Sequence, residues 1–282
     1  MLIKEIRIEE IKKIFGNQEL KKQYLQKLFE ITKSTNEISR TNAGIDRQII
    51  ETWNYEVSIK ILRELFLSSN KYKYCKECAV LVDQAIKSWD EKELGTIAWP
   101  FSAQAFDQRV HMINNSDMSE EDKDAVLCSE VIKFRRIKDI NAKRNDFIEY
   151  LIFTYNDNVI PTFRNNRGVD FYINGEPFDQ KVGKSVGKAF IEKYGDGYRQ
   201  IAIENPKLVA ISLYENQDEN RFGDEPRLLI AYLDNDVTSD DIERCIKKAD
   251  LKKPIQLEFD YFHSNNTTNH HITQCYVILL HK

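Results

Sequence analysis

Two aspartates and a lysine lie close together in the sequence, as Asp170, Asp179 and the Lys181 that follows two residues later. Two carboxylates that approach each other repel and resist ionising together unless a cation lies between them. A hard divalent cation with oxygen ligands, Mg²⁺ above all, satisfies such a pair, and Lys181 would lie beside it as a fixed positive charge. An acid, a spacer and then acid-x-lysine is a pattern typical of phosphodiester cleavage.

A predicted β-hairpin brings these residues together. Asn174-Gly175 is the strongest two-residue hairpin signal, because a type I′ turn needs positive φ at both central positions and the flanking residues are aromatic and β-branched. With this turn, Asp170 faces Asp179 in a pair without backbone hydrogen bonds, with Cα atoms roughly 4.5 Å apart. Side chains alternate between the two faces, so one face is apolar and the other carries both acids and Lys181.

The alternative is a surface hairpin whose polar residues lie on a solvated face, as is common in antiparallel sheets. Direct opposition of Asp170 and Asp179 argues against it, because sheets without a cation avoid placing like charges opposite each other. The spacing therefore favours a metal site over the surface hairpin.

Asp170 followed by Asp179-Gln180-Lys181 resembles the signature of the PD-(D/E)xK nuclease superfamily, whose best known members are the type II restriction endonucleases. Val169 stands at the position of the proline that the family often lacks. The resemblance covers roughly residues 145–213. It implies that the two acids hold one or two Mg²⁺ ions, and that Lys181 positions or activates the attacking water.

The resemblance also implies a third acid, Glu149. This residue lies in a predicted helix over residues 145–153 that is nearly apolar all round, so the helix should be buried. In the family, the helix before the hairpin often contributes a glutamate to the metal site. The alternative reading places Glu149 at the wet edge of the helix.

Four basic residues flank the hairpin and are the candidates for DNA contacts. Arg164 and Arg167 follow a predicted strand at 159–163 and could contact a scissile phosphate, although ordinary loop arginines have the same pattern. Lys184 and Lys188 come directly after the hairpin, at the start of a predicted helix over residues 185–194.

The charge distribution is compatible with a nucleic-acid partner near the hairpin. Thirteen basic and nine acidic residues lie between residues 131 and 200, a net charge of +4, whereas the whole chain carries −4. A basic region favours contact with the DNA backbone, and an acidic remainder limits nonspecific binding.

Composition excludes several classes of protein. No apolar run is long enough to span a membrane and the N-terminus has no signal-peptide pattern, so we expect a cytoplasmic protein with no membrane partner. Five cysteines without a secretory signal indicate free thiols. The pair Cys75 and Cys78 is half of a structural zinc motif, but no second half follows, so ordinary cysteines are favoured.

The periodicity predicts two domains. Residues 1–128 form a helical lobe for DNA recognition, dimerisation or both, and residues 129–282 form the nuclease-like domain. After the hairpin we expect strands at 208–213, 228–233, 255–263 and 272–280, and a helix at 240–249.

Together these observations predict an α/β fold, with a restriction-endonuclease-like core of a mixed sheet flanked by helices. The expected activity is Mg²⁺-dependent hydrolysis of double-stranded DNA, as a sequence-specific type II restriction endonuclease in a restriction-modification system, acting as a homodimer. The alternatives are a non-catalytic DNA-binding or interaction protein with a nuclease-like fold, and a DNA repair or junction nuclease.

Overall fold

The computed structural model describes residues 6–94, 103–166, 168–217, 222–234, 237–263 and 266–282, excepting the side chains of 103–105 and 164–166. Helices come before the sheet, as α1 (Ile8–Ile14), α2 (Gln18–Thr32), α3 (Asn42–Thr52), α4 (Tyr55–Leu67), α5 (Asn70–Asp90), α6 (Ala103–Asn114) and α7 (Glu120–Tyr155). None of the described helices combines the length and the apolar character needed to cross a lipid bilayer.

The second half of the chain alternates strands and helices. In chain order these are β1 (Val159–Asn166), β2 (Val169–Ile173), β3 (Glu176–Gly183), α8 (Lys188–Tyr194), a 3₁₀ turn (Gly195–Gly197), α9 (Tyr198–Glu204), α10 (Pro206–Glu215), β4 (Arg227–Tyr232), α11 (Ser239–Lys248), β5 (Ile255–Phe262) and β6 (Thr268–Leu280). The expected helices after the hairpin and near 240–249 are confirmed, as are the strands β4, β5 and β6.

The six strands form one mixed sheet in the order β1-β2-β3-β4-β6-β5. The β1/β2, β2/β3 and β5/β6 pairs are antiparallel, whereas β3/β4 and β4/β6 are parallel. Helices flank this sheet: α1 and α4 contact β1, α10 contacts β5 and β6, and α11 contacts β6. The expected α/β class with a mixed sheet flanked by helices is therefore confirmed.

The predicted turn and register of the β2–β3 hairpin are confirmed next to the turn. Asn174 and Gly175 have φ of 53° and 83°, as a type I′ turn requires. Ile173 pairs with Glu176, Tyr172 with Pro177 and Phe171 with Phe178. The ladder then ends, so Asp170 and Asp179 lie beyond the last regular pair.

The alternative of a hairpin with one solvated face is wrong for most of the hairpin's length. Tyr172, on the same face as Asp170, is 1% exposed and packs with buried residues of α1 to α4, such as Ile11 and Leu62. The other face is also buried, at Phe171 and Phe178. N-terminal helices cover the face because they bury their own apolar stripes on β1 and β2.

The expected strand at 208–213 is wrong, because these residues lie in α10. A short apolar run fits a buried helix as well as a buried strand. Pro206 stands in the first helical turn, where its missing N–H has no intrahelical partner to lose and its fixed φ suits a helix. Tyr214 of this helix is fully buried against Phe259 of β5.

The chain divides into two compact units that differ from the expected lobes. One unit contains Met1–Lys73 and Glu149–Lys282, and the other contains Tyr74–Ile148. The expected boundary at residue 128 falls inside α7, which is one continuous helix. The first four helices belong with the sheet because their buried residues share a core cluster with Ile160, Val169 and Tyr172 of β1 and β2.

Candidate functional site

Asp170 lies where β2 and β3 separate. In a regular ladder the N–H of Gln180 would bond to a backbone carbonyl of β2. Here the Gln180 N–H donates instead to Asp170 Oδ2 at 2.7 Å, and the Thr162 hydroxyl donates to the Asp170 carbonyl at 3.2 Å. The Gln180 N–H therefore holds the Asp170 carboxylate at the open end of the hairpin, and Thr162 holds its backbone.

The electrostatic environment of Asp170 shows that a second acid is near. Burial raises the pKa of Asp170 above its usual value, and the charge of Asp179 raises it further. The Gln180 N–H and the positive charges of Lys71 and Lys181 oppose this shift in part. The charge of Asp179 thus makes Asp170 harder to ionise, which agrees with the expectation that the two acids lie near each other.

Asp179 is the most buried of the predicted site residues, with 5% of its surface exposed. Its backbone N–H donates to the carbonyl of Pro226 at 3.2 Å, and its Cα pairs with Arg227 of β4. Its Oδ2 lies 2.5 Å from Lys181 Nζ but accepts no hydrogen bond of regular geometry from the described residues. A buried carboxylate oxygen in this condition has capacity to bind a cation.

Lys181 is open to solvent, with 53% of its side chain exposed. Its charge acts on Glu225 as well, a residue just before β4 that was not among the predicted site residues. Burial would raise the pKa of Glu225, but a backbone bond, Arg227 and Lys181 together lower it. Lys181 is therefore a cation shared among several carboxylates.

Arg227 is a buried residue next to Asp179 on the neighbouring strand. Its guanidinium donates to Gln217 Oε1 at 2.5 Å and to Glu225 Oε1 at 3.1 Å, and it lies 5.1 Å from the ring centroid of Tyr214. Because parallel partners project to the same side of a sheet, Arg227 and Asp179 share a face. On this face, α1 and α4 cover β1 while α10 covers β5 and β6, and Asp179 lies on β3 between these helices.

Glu149, the third predicted acid, is paired with Lys71, which lies outside the predicted site. Glu149 Oε1 lies 2.5 Å from Lys71 Nζ, with side chains 14% and 25% exposed respectively. Lys71 also donates to the Thr162 carbonyl at 3.1 Å. No sequence signal could have found Lys71, because it stands in a different helix in a segment expected to form a separate lobe.

Two of the four candidates for DNA contact, Lys184 and Lys188, have described side chains. Lys184 is exposed just beyond the end of β3, and Lys188 is exposed at the start of α8, 3.4 Å from Glu192. Arg167 and the side chain of Arg164 lie outside the described residues. Between Asp179 and Lys184 the strand advances roughly 3.3 Å per residue, so Lys184 lies well along it from the acids.

The donors present fit Mg²⁺. Hard divalent cations prefer oxygen ligands, and Mg²⁺ is commonly held by one or two carboxylates together with substrate phosphates and water. Asp170 and Asp179 supply that pair. Among the described residues no group of three or more His, Cys, Asp or Glu side chains is arranged to hold a metal ion, and this includes the buried Cys75 and Cys78.

Comparison with known proteins adds no family to these observations. No protein-family model, no curated protein and no solved structure matches this chain.

Proposed function

We propose that the chain is a Mg²⁺-dependent endonuclease that hydrolyses phosphodiester bonds in double-stranded DNA, as a sequence-specific type II restriction endonuclease. The observation that carries the proposal is the position of the Asp170 carboxylate at the open end of the hairpin, where it accepts from the N–H of Gln180, the residue between Asp179 and Lys181, while Lys181 contacts Asp179. The mixed sheet flanked by helices is compatible with the restriction-endonuclease-like core that this signature implies.

In the proposed reaction, water attacks phosphorus and the bond from phosphorus to one sugar oxygen breaks. The attacking water loses a proton, and the departing oxygen gains one. Lys181 can orient that water and stabilise the negative charge that develops on the phosphate, because its ammonium is accessible and fixed by Asp179. Asp170 and Asp179 would hold the metal, and the burial of Asp179 limits the access of competing water to its charge.

Mg²⁺ held by Asp170 and Asp179 would supply a Lewis acid for the phosphate and for the water. Glu149 is left out of this ligand pair because its partner Lys71 is mostly covered and stays in place, whereas Lys181, the partner of Asp179, is open to solvent and can move to a phosphate. Lys184 and Lys188 are proposed as phosphate contacts along the duplex, which bind without reading sequence. Cytoplasmic location and a homodimer complete the proposal, since two copies would let both strands be cut.

The experiment is incubation of the purified protein with unmethylated plasmid and phage DNA in Mg²⁺, followed by mapping of the cleaved ends. Double-strand cuts at one defined sequence, absent in EDTA, are the expected result. Cutting confined to junctions or damaged sites would instead show a repair or junction nuclease. DNA binding without cutting would show a non-catalytic DNA-binding protein, and either result would overturn the proposal.

A further inference from the structure

Lys71 occupies an unusual position beside the proposed metal site. It is the second residue of α5, and its Nζ lies 2.5 Å from Glu149 Oε1 of α7 and 3.1 Å from the Thr162 carbonyl of β1. The same ammonium lies 6.0 Å from the ring centroid of Phe66. Two helices and a strand therefore fix one lysine at a single place.

Two of the groups that contact Lys71 are oxygen atoms of the kind that hard divalent cations bind. A glutamate carboxylate and a backbone carbonyl are both ordinary ligands of Mg²⁺ or Ca²⁺. Asp170 is also near, through Thr162 of β1. Thr162 connects the two positions directly, because its hydroxyl donates to the Asp170 backbone and its carbonyl accepts from Lys71.

We propose that Lys71 takes the place of a second divalent cation, so that the site holds one metal ion at Asp170 and Asp179. The inference depends on the proposed function for the identity of that ion as Mg²⁺. Glu149 is then the counter-ion of Lys71 and not a metal ligand.

The proposal follows from the charge of the site. Three carboxylates, at Glu149, Asp170 and Asp179, need compensation near a phosphodiester that brings further negative charge. Lys181 and one divalent ion compensate the Asp170 and Asp179 side, and Lys71 compensates the Glu149 side. An ammonium is a compact point charge that does not dissociate with product, so a lysine can serve where a second ion would otherwise bind.

The test counts Mn²⁺ ions bound per chain, from the electron paramagnetic resonance signal of free Mn²⁺ during titration of metal-free protein. The variant Lys71→Met removes the charge while keeping a long side chain. We expect one ion in the wild type and two in Lys71→Met. The double variant Lys71→Met/Glu149→Gln should return to one ion, which assigns the additional ion to Glu149.

Two further variants control for the loss of a buried ion pair and for folding. Lys21→Met breaks a pair of similar burial, in which Lys21 Nζ lies 2.6 Å from Asp46 Oδ1, and should leave the ion count unchanged. Lys71→Arg keeps the positive charge and should also bind one ion. If Lys71→Met does not fold, Lys71→Gln replaces it in the same titration.

The outcomes separate this inference from the proposed function. Two ions in the wild type, or no additional ion when the charge of Lys71 is removed, would overturn the inference while leaving a nuclease intact. A wild type that binds no Mn²⁺ and cuts no DNA would overturn the proposed function. In that case, the gain of one ion in Lys71→Met would still support a cation position at Lys71.

Discussion

Two acid–lysine pairs lie at the site, and they are built in opposite ways. Asp179 and Lys181 come from one strand, two residues apart, with the acid buried and the lysine 53% exposed. Glu149 and Lys71 come from two helices, and both side chains are mostly covered. The first pair presents its cation to solvent, where a substrate can reach it, whereas the second holds its cation among protein oxygens.

The difference assigns different roles to lysines that contact carboxylates at the same distance of 2.5 Å. An exposed ammonium loses little when it exchanges a carboxylate for a phosphate, because its ion pair is screened by water. A covered ammonium cannot leave its carboxylate without leaving that carboxylate as an uncompensated charge away from water. We therefore expect chemistry at Lys181, and charge compensation and stability at Lys71.

The largest expected effect is at the buried acid of the first pair. Asp179→Ala should lower the cleavage rate by at least ~10²–10³-fold, the scale for removing one charge-stabilising group. DNA binding should persist or strengthen, because a repulsion between carboxylate and phosphate is lost. Single-turnover cleavage and filter binding measure the two effects.

Glu258→Gln is the control for Asp179→Ala, since it removes an exposed strand acid far along the sheet order. It should change neither cleavage nor binding. Near wild-type cutting by Asp179→Ala would show that Asp179 takes no part in the mechanism. The pair of Asp179 and Lys181 would then have no catalytic role.

Lys181→Ala should lower the cleavage rate by ~10²-fold, the usual scale for one positioned proton-transfer or charge-stabilising group. In Mg²⁺ its Tm should stay close to that of the wild type, because the metal would still compensate the buried Asp179 and Lys181 itself is more than half exposed. Lys184→Ala provides the contrast: it should weaken DNA binding while leaving the rate at saturating DNA unchanged. A large loss of Tm with normal activity per folded molecule would show that Lys181 is structural.

The second pair should respond in stability instead of rate. Glu149→Gln leaves Lys71 without its counter-ion, and should lower the free energy of unfolding by about 1–2 kcal/mol, less than a fully buried pair costs when one partner is lost. The Mg²⁺ dependence of cleavage should coincide with that of the wild type. Urea unfolding measures the free energy, and a Mg²⁺ titration of cleavage measures the metal dependence. If the variant needs more Mg²⁺ than the wild type, Glu149 is a metal ligand.

The smallest effect concerns Asp170 and pH. Burial and Asp179 raise the pKa of Asp170 in the folded chain, so the folded state binds the proton more tightly than the unfolded state. The free energy of unfolding therefore falls as pH rises from the unfolded pKa through the raised folded pKa. In metal-free buffer, Asp170→Asn should raise Tm slightly near pH 7 and have no such effect below the unfolded pKa. A lower Tm near pH 7 would contradict this assignment.

The hairpin could be predicted from the sequence because its determinants are local. Asn174 and Gly175 define the turn, and the period-two alternation then places Asp170, Asp179 and Lys181 without knowledge of the rest of the chain. The separation of β2 and β3 at Asp170 was not predictable, since it depends on a side chain replacing a backbone acceptor.

Features that depend on tertiary packing were missed because sequence patterns report only local determinants. Nothing local couples Lys71 to Glu149, which meet only in the folded chain, next to the Thr162 carbonyl of β1. The error at α10 is of a different kind, because an apolar run buried on a sheet gives no periodicity that separates helix from strand. The pair of Asp179 and Lys181 could therefore be predicted from the sequence, whereas the pair of Glu149 and Lys71 could be found only in the folded structure.

The bond from the Gln180 N–H to Asp170 Oδ2 makes a backbone amide report on the state of a carboxylate. If an ion draws Asp170 away from this bond, that amide loses its acceptor and should exchange its hydrogen with solvent faster. If the ion binds the other carboxylate oxygen, the bond tightens and exchange slows. Isotope exchange at this single amide therefore records which oxygen of Asp170 holds the metal, without any DNA being cut.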